Sequence, residues 1–179
     1  MKIMKVERKS KIIINFDVND KYTFDFDYKI LAKKISKRLI EIENIDYDIS
    51  YNLLIVDKAK IKKINKEYRN LNKITDVLSF PNIDFKKPSN FKYYIKDDIY
   101  DISILDLSTK TIFLGDVVMC YDKILSQSKL YNHSIKREYS FLLVHSLLHL
   151  LGYDHIDIKD ERKMFKKQDE ILDSLNIIK

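Results

Sequence analysis

Three of the chain's four histidines fall in the stretch "HSLLHLLGYDH": His145, His149 and His155, in the frame H-x3-H-x5-H. Two histidines four apart on a helix project from one face about a turn apart, which suits adjacent positions on one metal ion. A straight helix cannot deliver the third ligand, so the chain must turn after the second. Gly152 supplies that turn as the residue past the helix end, where a left-handed backbone is common. Tyr153 and Asp154 then carry the chain round to His155. Three neutral imidazoles on a tetrahedral ion leave the fourth position open. The competing explanation is three packed core histidines. Burying two imidazoles among leucines without partners is costly, however, and the ligand spacing favours a metal. Zinc, one ion per chain, suits the set best, although other first-row ions also bind imidazole.

An open zinc site lowers the pKa of its bound water to about 7 and polarises a substrate oxygen, which is hydrolytic chemistry. Zinc proteases with this frame carry a glutamate general base where this chain has Ser146. Serine cannot take that role, so the peptidase reading loses weight. Phosphodiester cleavage asks instead for a cation where negative charge grows in the transition state. The segment "KAKIKKINKEYRNLNK" holds seven Lys or Arg between Lys58 and Lys73 against one acid, Glu67. Arg69 ends its helical part and offers a fork of donors for phosphate. Lys66 and Lys73 flank it as candidate substrate contacts. A solvated helix face would look the same from charge alone, but basic segment and metal centre together point to a nuclease. Asp154 is a candidate outer partner that orients a histidine or the water. Asp76 and Asp116 are further candidates, though aspartates beside strands also serve as turn formers. His133 lies outside the frame and reads as structural.

These side chains need a scaffold, and the periodicity supplies one. Lys11–Val18, Ile49–Val56 and Thr111–Cys120 read as strands, and "TDVLSFP" as a short strand closed by Pro81. Helical spacing marks Tyr28–Glu43, the basic segment after Asp57, and three consecutive helices over Tyr121–Tyr131, Ser134–Leu151 and Ile158–Leu175. Asp57 and Ser134 are the expected N-caps. Residues 82–110 read as a loop or hairpin-bearing insertion. The expectation is one α+β domain over 1–179. Its small mixed sheet of about four strands packs with about five helices, and a central helix carries two of the ligand histidines.

The bulk numbers agree with such a domain. A chain of 179 residues with 45% hydrophobic and 34% charged content can bury a sizeable core. One cysteine excludes an internal disulfide and fits a reducing cytoplasm. No leader-like segment or membrane-length apolar run appears, so the expectation is a cytoplasmic protein that no membrane holds. The net charge of +6 fits a polyanionic partner, although a Lys-, Ile- and Asn-rich composition also follows from base-composition drift in coding DNA. There are only two glycines, where average usage would be about 7%. Those two should stand where a side chain is not tolerated or where φ must be positive.

Together, "HSLLHLLGYDH", "YRNLNKITDVLSFP", "FLGDVV" and "NHSIKRE" resemble the YbeY family of bacterial metal-dependent endoribonucleases, over about Ile49 to Leu175. The resemblance implies zinc ligands at His145, His149 and His155 and a functional arginine at Arg69. It also implies a single-strand-specific endoribonuclease acting on the 3′ end of small-subunit (16S) ribosomal RNA and in ribosome quality control. Its partners would be ribosomal RNA and the small subunit. A monomer is expected, although the sequence leaves the oligomeric state open. The chain departs from the family's pattern at Ser146 and Asn132, where glycine is usual, and at Leu71, Asn72 and Ile74. Two rival readings stay open: a non-catalytic ribosome assembly factor with a structural zinc, and a metallopeptidase.

Overall fold

The computed structural model describes residues 10–96 and 99–177. In chain order the elements are β1 (Ile12–Val18), α1 (Tyr28–Ile42), β2 (Ile49–Val56), α2 (Lys58–Arg69) and β3 (Val77–Pro81). Then come β4 (Ile95–Lys96), β5 (Ile99–Tyr100), β6 (Leu105–Asp106), β7 (Thr111–Cys120), α3 (Tyr121–Leu130), α4 (Ile135–Leu150) and α5 (Ile158–Ser174). The four long strands lie in the order β1-β2-β7-β3, parallel except for β3, and β6 adds a short antiparallel pairing to the start of β7. This is the expected α+β fold, with a mixed sheet and, among the described residues, five α-helices. The insertion contributes β6 and a separate two-stranded hairpin, β4–β5.

Apart from α4, the helices form because each buries an apolar stripe. In α1 the stripe is Leu31, Ile35 and Leu39, started by Asp27, whose carboxylate caps the Ile30 N–H. Helix α4 has no single stripe: it is buried nearly all round, from Tyr139 through Leu143, Leu147 and Leu148 to Leu150. It packs on α1, α3, α5, β3 and β7, and so stands at the centre of the fold. Burying each of its leucines contributes roughly 1.5–3 kcal/mol, enough to fix its position against every neighbour. Helix α2 covers the other face of the sheet, seating Ile61 on Leu78, Val118 and Cys120.

All five helices stop at a left-handed residue: Asn44, Asn70, Asn132, Gly152 and Asn176, with φ of 52°, 56°, 53°, 83° and 55°. In four of them the N–H of that residue and the N–H of the one after it bond back to helix carbonyls in the Schellman pattern, as when Gly152 N–H reaches His149 O and Tyr153 N–H reaches Leu148 O. Asparagine tolerates this backbone better than other side chains do. Both glycines meet the stricter condition. A Cβ on Gly152 would come within 2.6 Å of Phe85 Cβ, and one on Gly115 within 2.1 Å of the Phe80 carbonyl oxygen.

Gly115 also marks a bulge. Ser50 pairs with Phe113 while Asn52 pairs with Asp116, so β7 carries one extra residue against β2. A slip of one residue reverses which face the following side chains occupy. Ile112 and Leu114 point into the main core, and after the bulge Val117 and Met119 do so.

Candidate metal centre

Helix α4 fixes the first two imidazoles. Ser134 caps its start by accepting from the Arg137 N–H, and nearby His133 is engaged with Glu138 at 3.0 Å, outside the site. Near the other end, His149 Nδ1 lies 2.9 Å from the Tyr153 carbonyl and His145 Nδ1 lies 3.3 Å from Gln168 Oε1. A carbonyl only accepts, so His149 Nδ1 carries the proton and its Nε2 presents a lone pair. With Gln168 Oε1 as acceptor, His145 has the same tautomer. The two Nε2 atoms face each other at 3.2 Å, and one nitrogen from each of His145, His149 and His155 lies within 4.8 Å of the others.

Two lone pairs opposed at that distance repel unless a cation lies between them. Zinc bonds of 2.0–2.1 Å at tetrahedral angles would set nitrogens about 3.3–3.4 Å apart. The residues therefore fit one such ion. His155 is the exposed member and the other two are half-buried. Burial, aided by the neighbouring His149, pushes the His145 pKa down to about 4 against the opposing pull of Gln168. His149 is lowered as well, mainly by burial. Both rings are thus neutral at pH 7, the form a ligand must have.

The loop that brings His155 round is tied down by Glu43. This buried carboxylate accepts from the Tyr153 hydroxyl at 2.9 Å and the Ser89 hydroxyl at 2.5 Å, and pairs with Lys167 Nζ at 3.4 Å. Burial and the Glu43 charge raise the Tyr153 pKa, so the phenol keeps its proton and remains a donor.

Arg69 reaches the same cleft from the other side. It is the last residue of α2, and one of its Nη2 hydrogens goes to the Ser79 carbonyl at 3.1 Å while its guanidinium lies 5.8 Å over the Phe80 ring. The cleft measures about 710 Å³ and is lined by Arg69, Ser79, Phe85, His149, Asp154 and His155, among others. Residues at the start of the insertion, Asn82 to Phe85, form one wall. The sequence left that segment unpatterned, yet Ile83, Phe91 and Ile104 anchor it in the core.

The other candidates are spread more widely. Asp154 lines the cleft, but its Oδ1 accepts from the His155 N–H at 2.6 Å rather than from an imidazole. Asp76 caps the Val77 N–H and accepts from Gln127 Nε2, and from there its charge acts on His145. The bulge sets Asp116 on the sheet face of Val118 and Cys120, away from α4, where it accepts from Asn52 Nδ2 at 2.6 Å. Lys66 and Lys73 are exposed and do not line the cleft. Ser146 is fully buried with no partner for its hydroxyl, so nothing at that position acts as a base. Sequence reasoning missed Gln168, Tyr153 and Glu43. Gln168 left one signal: a polar residue on the stripe of Met164, Ile171 and Leu172, only 1% exposed.

Comparison with known proteins gives a consistent picture. The family described as "Endoribonuclease YbeY" matches residues 14–176. A curated endoribonuclease YbeY from Lachnoclostridium phytofermentans is 36% identical over 92% of this chain and 98% of its own length. One from Clostridium beijerinckii is 42% identical, over 83% of this chain and 92% of its own. Among solved structures, the solution structure of TM1509 from Thermotoga maritima shares the fold, with a TM-score of 0.51, 22% identity and 92% of each chain covered.

Proposed function

The chain belongs to the endoribonuclease YbeY family, and on that footing we propose that it is a zinc-dependent endoribonuclease. It cuts single-stranded RNA during maturation of the 3′ end of small-subunit (16S) ribosomal RNA and in ribosome quality control. The observation that carries this reading is a cluster of three imidazoles, two of which, His149 and His155, line one open cleft together with Arg69.

His145, His149 and His155 would hold the ion. When bound, zinc supplies a Lewis acid for a phosphoryl oxygen and lowers the pKa of water to about 7. The chain's own contribution is placement. The Tyr153 carbonyl and Gln168 fix which nitrogen of each ring faces inward. The Ser79 carbonyl holds one edge of Arg69, leaving other N–H groups to bind a phosphate and stabilise its growing charge. Asp154 and Asp84 are the carboxylates lining the cleft and the candidate proton carriers. The protein acts as a cytoplasmic monomer on ribosomal RNA in the small subunit. Among the described residues, no helix is long and apolar enough to cross a membrane.

The test is a cleavage assay on single-stranded RNA carrying a small-subunit 3′ end, with bound zinc measured in parallel. Wild type cuts. His149→Ala loses both zinc and cleavage, and Arg69→Ala keeps zinc but loses cleavage. Stoichiometric zinc in His149→Ala overturns the ligand assignment, and an unchanged rate in Arg69→Ala removes that residue from the mechanism. RNA binding without cleavage by the zinc-loaded wild type, with unfolding on chelation, would establish the assembly-factor reading instead.

A further inference from the structure

Beside the cleft, though not among its lining residues, the residue before Arg69 carries an aromatic ring that the chemistry above does not use. Tyr68 precedes Arg69 at the end of α2 and is 67% exposed. It is held in place by stacking rather than by its hydroxyl: its ring meets Phe80 edge-to-face, with centroids 5.3 Å apart. The same Phe80 ring lies under the Arg69 guanidinium at 5.8 Å. One fixed ring therefore supports both an exposed aromatic and the cation that faces the metal ligands.

The surroundings fit one kind of partner. From Lys66 to Ile74 every residue is exposed, so Tyr68, Leu71 and Ile74 alternate with Lys66, Arg69 and Lys73. Among the described residues, no basic side chain between Lys58 and Lys73 is in an ion pair. Uncompensated cations interleaved with a rigid aromatic face are what an unpaired nucleic-acid strand requires. Phosphates take the charges and a base takes the ring, whatever its sequence. A duplex, whose bases are already stacked, offers no free face to Tyr68.

Resting on the nuclease reading, we propose that Tyr68 is a base-stacking platform that seats single-stranded RNA on the lip of the cleft. A base on the ring sets the adjoining phosphate beside Arg69. The site thereby selects unpaired RNA by the ring, before any chemistry occurs.

The chain contains no tryptophan, so Tyr68→Trp places a single indole at this point. The zinc-loaded variant is titrated with a 2′-O-methyl oligouridylate, with an abasic oligomer of equal length and charge, and with an RNA duplex. Stacking quenches the indole with the first probe and leaves it unchanged with the other two. In parallel, Tyr68→Ala raises KM for single-stranded RNA by roughly 5- to 150-fold, the range for losing one stacked base, while kcat changes little and Tyr68→Phe restores KM. Equal quenching by the abasic oligomer shows charge alone at work and overturns the proposal. So does an unchanged KM in Tyr68→Ala beside an active wild type, which leaves the nuclease reading intact. If Tyr68→Ala instead loses association with small-subunit proteins at unchanged RNA affinity, the lip is a protein dock and the platform falls. A zinc-loaded wild type that neither binds nor cuts RNA removes the nuclease reading and this one together.

Discussion

Replacing Gly152 separates two demands that the end of α4 makes on one residue. At φ +83° an alanine carries the left-handed penalty of about 1–2 kcal/mol. Its Cβ would also lie 2.6 Å from Phe85 Cβ, about 1 Å inside ordinary carbon contact. Phe85 cannot simply retreat, because its ring packs edge-on against Phe91 at 5.0 Å. Overpacking of this kind costs roughly 1–3 kcal/mol. Gly152→Ala should therefore lose about 2–5 kcal/mol of stability, a large share of the roughly 5–15 kcal/mol of a typical domain. Gly152→Asn should recover much of the backbone part, as asparagine does at the other four helix ends, but none of the contact with Phe85. Urea unfolding of the metal-free proteins, followed by circular dichroism, measures both. Zinc titration should show weaker binding in each variant, since His149 and His155 are linked through this turn. A Gly152→Ala protein within about 0.5 kcal/mol of wild type, the range of a neutral surface change, would refute the argument.

Two further outcomes follow from the neighbours of the histidines. Gln168→Leu keeps the volume but removes the acceptor that orients His145, so zinc affinity should fall roughly 10- to 100-fold with little change in stability; titration with a competing chelator reads this, and unchanged affinity would dismiss Gln168 as an orienting group. The metal-free protein should lose stability as pH falls from about 6.5 to about 4. His145 is lowered to about 4 in the fold, so across that window the unfolded chain binds the proton first and acid favours unfolding. The effect is bounded at about 3 kcal/mol from 1.36 kcal/mol per unit, and urea midpoints across the window should shift less in His145→Asn.

The metal site was legible because its information is local. Spacing on one helix and a glycine at its end determine where His145, His149 and the turn must lie. N-caps at Asp57 and Ser134 are local in the same way, and both side chains cap as expected. What the sequence hid depends on long-range geometry. Arg69 meets the histidines only because β3 pairs with β7 and presents the Ser79 carbonyl to its side chain. Gln168 arrives from α5 and Glu43 from the end of α1, neither with a spacing that points at α4. Asp116 shows the opposite case. Its place on the strand was correctly read, but one extra residue at Gly115 decides which face it occupies.

The helix ends have a consequence for composition. Glycine offers a protein two separate things, freedom of φ and the absence of a Cβ, and most sequences blur them by using it for both. Here asparagine performs the first task at four termini, and glycine remains where atoms would otherwise overlap. A genome whose coding bias disfavours glycine can thus shed it from turns at modest cost, yet not from these two contacts. Under such drift the surviving glycines become a steric map: in this chain they mark the wall of the cleft and the bulge that sorts the faces of the sheet.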